Sequence, residues 1–288
     1  MCIPATEPMA QPPCRAETKP MKITGKTRIM FILADAVDHI VGSDVLNRAF
    51  VELKLDVAVS PLSIKPGDLV GMLDMIRRID NIVGFGVTIP HKIAVVELVD
   101  ELTDAARDIG AVNFVRCDAD GRLVGHNIDG EGFLAGLAEH QVEIPGKSVL
   151  QAGAGGVGRA IAFALAGAGA GPIHLLNRNM ERARQVADAI RERNPQADIH
   201  VHADEDDLPD KAFDLVVNAT SLGMHEGDAM PVSSSLLRSS STVAEVIMTP
   251  AITPMLAAAG RIGCRTVPGL AMMQPQPLLV ARFLALAD

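Results

Sequence analysis

The sequence predicts a two-part α/β chain, each part built on a mostly parallel sheet. Three observations carry that expectation. Apolar, β-branched stretches alternate with amphipathic helical stretches along most of the chain, the pattern that lays helices over the faces of parallel strands. The 288 residues are enough for two cores around a cleft, where one small core would need fewer. A glycine-rich turn at 151–160, QAGAGGVGRA, restarts the alternation past the midpoint.

In order, TRIMFILAD (27–35) is an apolar strand, GSDVLNRAFVELKL (42–55) a helix and DVAVSPLSI (56–64) a strand. DLVGMLDMIRRID (68–80) has helical spacing, with Leu69, Met72, Leu73 and Ile76 on one stripe. NIVGFGVTI (81–89) is a strand that stops at Pro90, because proline has no N–H to donate to a ladder. IAVVELVDELTDAARDIG (93–110) reads as largely helical, and 111–130 as a hairpin around a DADG turn. The second set opens with the strand KSVLQAG (147–153) and the helix RAIAFALAGAG (159–169). The strand PIHLLNR (172–178), the helix MERARQVADAIRER (180–193) and the strands IHVHAD (199–204) and FDLVVNAT (213–220) follow. After a turn at 221–231 come TVAEVIM (242–248), the helix TPMLAAAG (253–260) and CRTVPG (264–269); the end is helical from about Pro277.

The net charge of -9 argues against nucleic acid or an anionic membrane surface as the main partner. With no Trp or Tyr, stacking platforms for bases are not expected. Cys2, Cys14, Cys117 and Cys264 form no CxxC and no metal-ligand spacing, which suits a reduced, cytoplasmic chain without a bound metal. No apolar run reaches membrane-spanning length. The Pro-rich stretch 1–21 lacks the apolar core of a signal peptide and reads as a loose tail.

Gly153, Gly155 and Gly158 stand in G-x-G-x-x-G spacing between a strand and a helix. The first permits the tight turn, the second lets backbone approach a pyrophosphate, and the third lets the helix pack on the strand. Loop amides from Ala154, Gly155, Gly156 and Val157 then face the phosphates at a helix N-terminus. An NAD site puts a carboxylate at the end of the second strand; here Asn177 and Arg178 stand there, with Arg182 a turn later. Guanidinium groups suit a 2′-phosphate, so NADP is the expected cofactor.

Lys92 follows the strand-ending VTIP, a place where a helix N-terminus disfavours positive charge. With this residue in view, the chain resembles the shikimate/quinate dehydrogenase family from about residue 28 to 285. The ordered motifs are VTIPHK (87–92), ELTDAARDIGAVN (101–113), GHNIDGEGF (125–133), GAGGVGRAI (153–161), NR (177–178), NATSLGM (218–224), TPAITPML (249–256) and PGLAMM (268–273). The resemblance implies an N-terminal α/β substrate domain (22–127), a C-terminal Rossmann dinucleotide-binding domain (128–266) and a final helix (267–288) packing back on the first. It implies that Lys92 and Asp129 are the catalytic acid/base pair. It also implies that Ser43, Thr88, Asn113 and Gln276 bind substrate, and that Thr220 and Met224 line the nicotinamide pocket. A lysine ammonium can stabilise the charge that develops on a carbonyl oxygen and deliver a proton to it.

The chain departs from the family where substrate is expected. One serine of an S-x-S motif is Val41, an asparagine is Gly86, the threonine of NTDG is Ile128, and the tyrosine of D-x-x-Y-x-P is Met248. The expected reaction is NADP-dependent interconversion of a ring ketone and a secondary alcohol on a small cyclic hydroxy acid, of the 3-dehydroshikimate/shikimate type. Quinate, another less hydroxylated acid, or a non-catalytic nucleotide-binding module with a decayed site are the alternatives. The oligomeric state, monomer or homodimer, is left open. His91, next to the lysine, reads as a partly exposed loop residue, with a proton relay as the alternative, and His200 and His202 share a strand face without a third ligand spaced nearby.

Overall fold

The computed structural model describes residues 22–287 apart from positions 39, 41, 89, 210 and 211. The tail expected over 1–21, and Val41, lie outside the described residues. The first half runs β1 (Arg28–Ala34), α1 (Gly42–Glu52), β2 (Val57–Ser63), α2 (Leu69–Ile76), β3 (Ile82–Val87), β4 (Glu101–Leu102), α3 (Asp104–Ile109), β5 (Phe114–Cys117) and β6 (Leu123–His126). Its sheet has the order β2-β1-β3-β5-β6-β4, with β5 antiparallel to both neighbours as the hairpin requires.

Helix α4 (Asp129–Glu139) leads into the second half. There β7 (Val149–Ala152), α5 (Gly156–Gly167), β8 (Ile173–Leu176), α6 (Met180–Arg193), β9 (Ile199–His202) and β10 (Leu215–Asn218) precede β11 (Thr242–Glu245), α7 (Pro254–Ile262), β12 (Arg265–Val267), α8 (Leu270–Met273) and α9 (Gln276–Phe283). The order β12-β11-β10-β7-β8-β9 is wholly parallel. It reverses between β7 and β10, the switch point at which doubly wound sheets open a ligand crevice. Leu175, Val217 and Ala244 cover one face with α5 and α6, while Leu150, Val216 and Val243 meet α7 on the other.

One expectation fails locally. Residues 93–110 are not one helix but a 3-10 turn at Ala94–Glu97, then β4 and α3. Asp100 accepts from the backbone N–H of Leu123 at 2.7 Å, tying the segment to β6 as an edge strand where a helix would have left that amide. Thr103 caps α3 by accepting from the Ala106 amide, and Gly110 ends it in the left-handed region.

Helix α9 returns to the first half and packs on α1, so Val280, Ala281 and Leu284 join Met30, Leu46 and Phe50 in one core. The halves are also pinned to each other by arginines of the second. Arg159 of α5 donates to the Asp108 carbonyl at 2.7 Å, and Arg193 of α6 pairs with Asp104 and Asp108. Among the described residues no helix is long and apolar enough to cross a membrane.

Candidate active site

The end of β3 and the start of α4 meet across the antiparallel hairpin. Past β3, the Thr88 amide donates to the Leu33 carbonyl at 3.0 Å, and Pro90–Ile93 turn the chain back, with the Lys92 carbonyl accepting from the Val112 amide. That brings Lys92 Nζ to 3.5 Å from Asp129 Oδ2, the carboxylate nearly buried and the ammonium about one-third exposed. A buried carboxylate keeps its charge only if it is hydrogen-bonded. Asn113 supplies a partner, donating from Nδ2 to Asp129 Oδ1 at 3.0 Å while its Oδ1 accepts from the Ile128 amide at 3.0 Å. With both ends of its amide engaged, Asn113 positions Asp129 in this arrangement.

Asn127 completes the frame and was not singled out from the sequence. Its Oδ1 accepts from the Asp129 amide at 3.1 Å, and its Nδ2 donates to the Ala111 carbonyl at 3.1 Å. The signal was present: an Asn two residues before a helix-starting Asp makes an Asx-turn. His91 is a correction. It is buried rather than loop-exposed, with Nε2 2.9 Å from the Ile64 carbonyl, so it ties the turn that carries Lys92 to the exit of β2.

Ser43 is buried in the first turn of α1, and Gln276 opens α9. Gln276 Nε2 would lie 3.3 Å from a Cβ built on Gly132, one turn along α4 from Asp129. Of the departures, Ile128 packs wholly into the core with Met30 and Phe50. Gly86 is backed by Phe114, and Met248 is half-exposed beside the Ile247 backbone that Gly269 crosses. The carboxyl of Glu245 at the end of β11 is pushed up by burial, and Thr253 donates to it at 2.8 Å.

In the second half, the first and third glycines of the loop stand where a side chain would collide with backbone. Gly153 is left-handed (φ 101°), and a Cβ there would lie 2.7 Å from the Ala219 carbonyl oxygen; at Gly158 it would lie 2.5 Å from that of Gly153. Gln151, fully buried beneath the loop, donates from Nε2 to the Gly153 and Gly158 carbonyls at 2.8 Å each. Helix α5 starts at Gly156 with no side-chain cap, and nothing stands within 4 Å of a Cβ on Gly155 or Gly156. Uncapped first-turn amides behind open space fit a pyrophosphate.

The loop lines a 510 Å³ cavity together with Asn177, Arg178, Asp204, Glu205 and Thr220. Asn177 Oδ1 accepts from the Ala154 amide at 3.2 Å, which braces the loop, and Arg178 is exposed at the rim. Arg182, exposed on α6, and Val157 are not among the lining residues; the backbone N–H of Arg182 donates to Asn179, the helix cap. Met224 is half-exposed on a loop whose Gly223 and His225 amides donate to Asp228.

Comparison with known proteins follows this division. Residues 32–115 match the profile of the shikimate dehydrogenase substrate binding domain, and residues 136–223 that of shikimate / quinate 5-dehydrogenase. Shikimate dehydrogenase (NADP(+)) of Alkaliphilus metalliredigens (strain QYMF) is 35% identical over 263 residues, 90% of this chain and 91% of that one. The structure of shikimate 5-dehydrogenase from Listeria monocytogenes with shikimate and NAD superposes with a TM-score of 0.86 at 29% identity, covering 93% of this chain and 94% of that one. Ligand-free 5-ketofructose reductase of Gluconobacter sp. strain CHM43 gives 0.84 at 32% identity over 91% of this chain and 94% of the other.

Proposed function

The chain belongs to the shikimate/quinate dehydrogenase family, and from that premise we propose that it is an NADP-dependent oxidoreductase interconverting a ring ketone and a secondary alcohol, of the 3-dehydroshikimate/shikimate type, with Lys92 and Asp129 as its acid/base pair. The observation that carries the reading is the 3.5 Å separation of Lys92 Nζ from Asp129 Oδ2. The relatives named for NADP and for shikimate support the choice of cofactor and substrate class. So does the Arg178 guanidinium at the rim of the nucleotide cavity, where a 2′-phosphate would meet a cation.

The bound dinucleotide supplies the hydride in reduction and accepts it in oxidation. In reduction, the Lys92 ammonium donates a hydrogen bond to the ketone oxygen, stabilises the negative charge that grows there, and passes it a proton. Asp129 holds the ammonium in place, Asn113 fixes the carboxylate and Asn127 the backbone N–H of the same residue, so little reorganisation is left for the reacting step. In oxidation, the lysine amine takes the hydroxyl proton. The Gluconobacter protein carries a keto-sugar name on the same fold; an acid/base pair acts on the C–O group and not on the rest of the ligand.

Following NADPH formation with shikimate, quinate and related cyclic alcohols, with wild type and Asp129→Asn, tests the reading. Turnover that falls by about 100-fold in the variant is the expected result. Undiminished turnover removes the pair, and nucleotide binding without turnover of any alcohol makes the protein a binding module.

A further inference from the structure

The pairing of β3 with β5 sets Gly86 directly opposite Phe114. The Phe114 ring folds over the glycine: a Cβ on Gly86 would lie 3.2 Å from ring Cε1 and 3.5 Å from Ile32 Cγ1. Gly86 is not among the left-handed glycines, so its backbone does not demand glycine; the ring does. The pair is matched in volume, the missing side chain making room for the large one.

This ring is one residue along the chain from the frame that holds Asp129 and packs with Ile128, the residue before that aspartate. Asn113, the residue before Phe114, holds Asp129, and Gly86 lies two residues before Thr88 and six before Lys92. Ile32 continues the wall toward α1, since a Cβ on Gly42 would lie 3.5 Å from Ile32 Cδ1. Phe114 packs on the cluster of Ile32, Leu46, Phe50 and Ile128 and keeps part of its surface exposed. Phe114 and Ile32 carry no hydrogen-bonding side chain, and their Gly86 neighbour has no side chain at all.

We propose that Phe114, in the space Gly86 leaves, is a specificity-determining residue that selects a ring alcohol or ketone presenting a C–H edge, rather than a hydroxyl, toward β3. The inference rests on the reaction proposed above and adds to it the polarity of one side of the substrate. A hydroxyl set against this wall loses its water without a replacement partner, and an apolar surface disfavours an added hydroxyl by roughly 100-fold at most.

The full-length protein with NADP, given shikimate and its 4-deoxy and 5-deoxy analogues, tests this. At least one deoxy compound is expected to exceed shikimate in kcat/KM by about 10-fold or more. Phe114→Ala narrows that preference, and Phe114→Ala with Gly86→Asn turns it toward shikimate. Gly86→Asn alone collides with the ring and lowers Tm. Phe114→Leu, which keeps the bulk and the apolar character, retains both Tm and preference, which separates substrate reading from folding. An unchanged deoxy/shikimate ratio in Phe114→Ala overturns the proposal, as does a wild type that prefers shikimate. If wild type turns over none of the three, the reaction reading fails by itself. The same ratios are then required of their binding to the NADP-loaded protein, and no binding of any of them ends both.

Discussion

In the reading proposed above, the two halves hold their ligands by different means. In the second half the recognition surface is backbone: first-turn amides of α5, glycines whose missing Cβ atoms leave room, and Gln151 bracing two carbonyls from below. Across the hairpin it is side chains from separate strands and turns, Lys92 after β3 against Asp129 at the start of α4, whose carboxylate Asn113 holds. A backbone site constrains only which residues are small, whereas a side-chain site constrains what the ligand carries. Of the four departures from the family pattern, Val41 and Gly86 belong to the first half, Ile128 immediately precedes α4 and Met248 follows β11, while the glycine spacing is intact.

That contrast can be broken experimentally. The largest effect is expected at Lys92: Lys92→Met keeps the stem and removes the ammonium, and kcat should fall by about 1,000-fold. Fluorescence titration should find NADP affinity unchanged, and a parallel loss of nucleotide binding would mean the halves are not separable. The mirror experiment is Gln151→Leu, which orphans the Gly153 and Gly158 carbonyls at a cost of about 1–2 kcal/mol. NADP affinity and Tm should both drop, with the pH dependence of kcat unmoved.

A smaller change is expected from Arg178→Gln. It should raise KM for NADP by about 10-fold and leave that for NAD nearly unaltered; equal change in both would take the 2′-phosphate away from this residue.

The smallest effect concerns pH and the nucleotide half alone. His202 is held below the ordinary histidine value, chiefly by burial, with the neighbouring His200 adding to it. The unfolded chain therefore binds more protons below about pH 6.5, and the stabilising contribution, present above that value, is lost as pH falls. His202 Nε2 lies 2.9 Å from His174 Nδ1, and that bond needs one ring to accept. Tm should fall between pH 7.5 and 5.5, and less steeply in His202→Gln; equal slopes would assign the effect elsewhere.

Much of the fold was legible because it is written in local periodicity. The strands and helices of both halves, the turn of the 111–130 hairpin and the α5 glycine turn follow from spacing, since each depends on neighbours within a few residues. The 93–110 segment misled for the same reason. Its helical spacing was outweighed by Asp100 reaching the Leu123 amide, a contact made across sequence. Asn127 and the burial of His91 escaped notice for a related cause, because their partners, Ala111 and Ile64, lie on other elements.

The sequence by itself therefore determined the alternation of strands and helices, the glycine turn that opens α5 and the residues that bear charge near Pro90 and Gly130. Only the tertiary structure decided that the Lys92 ammonium and the Asp129 carboxylate stand 3.5 Å apart, and that a phenylalanine ring lies where an asparagine was expected. The reason is geometric: backbone conformation answers to nearby residues, but distances between side chains are set by strand register and packing, which no single stretch of chain contains.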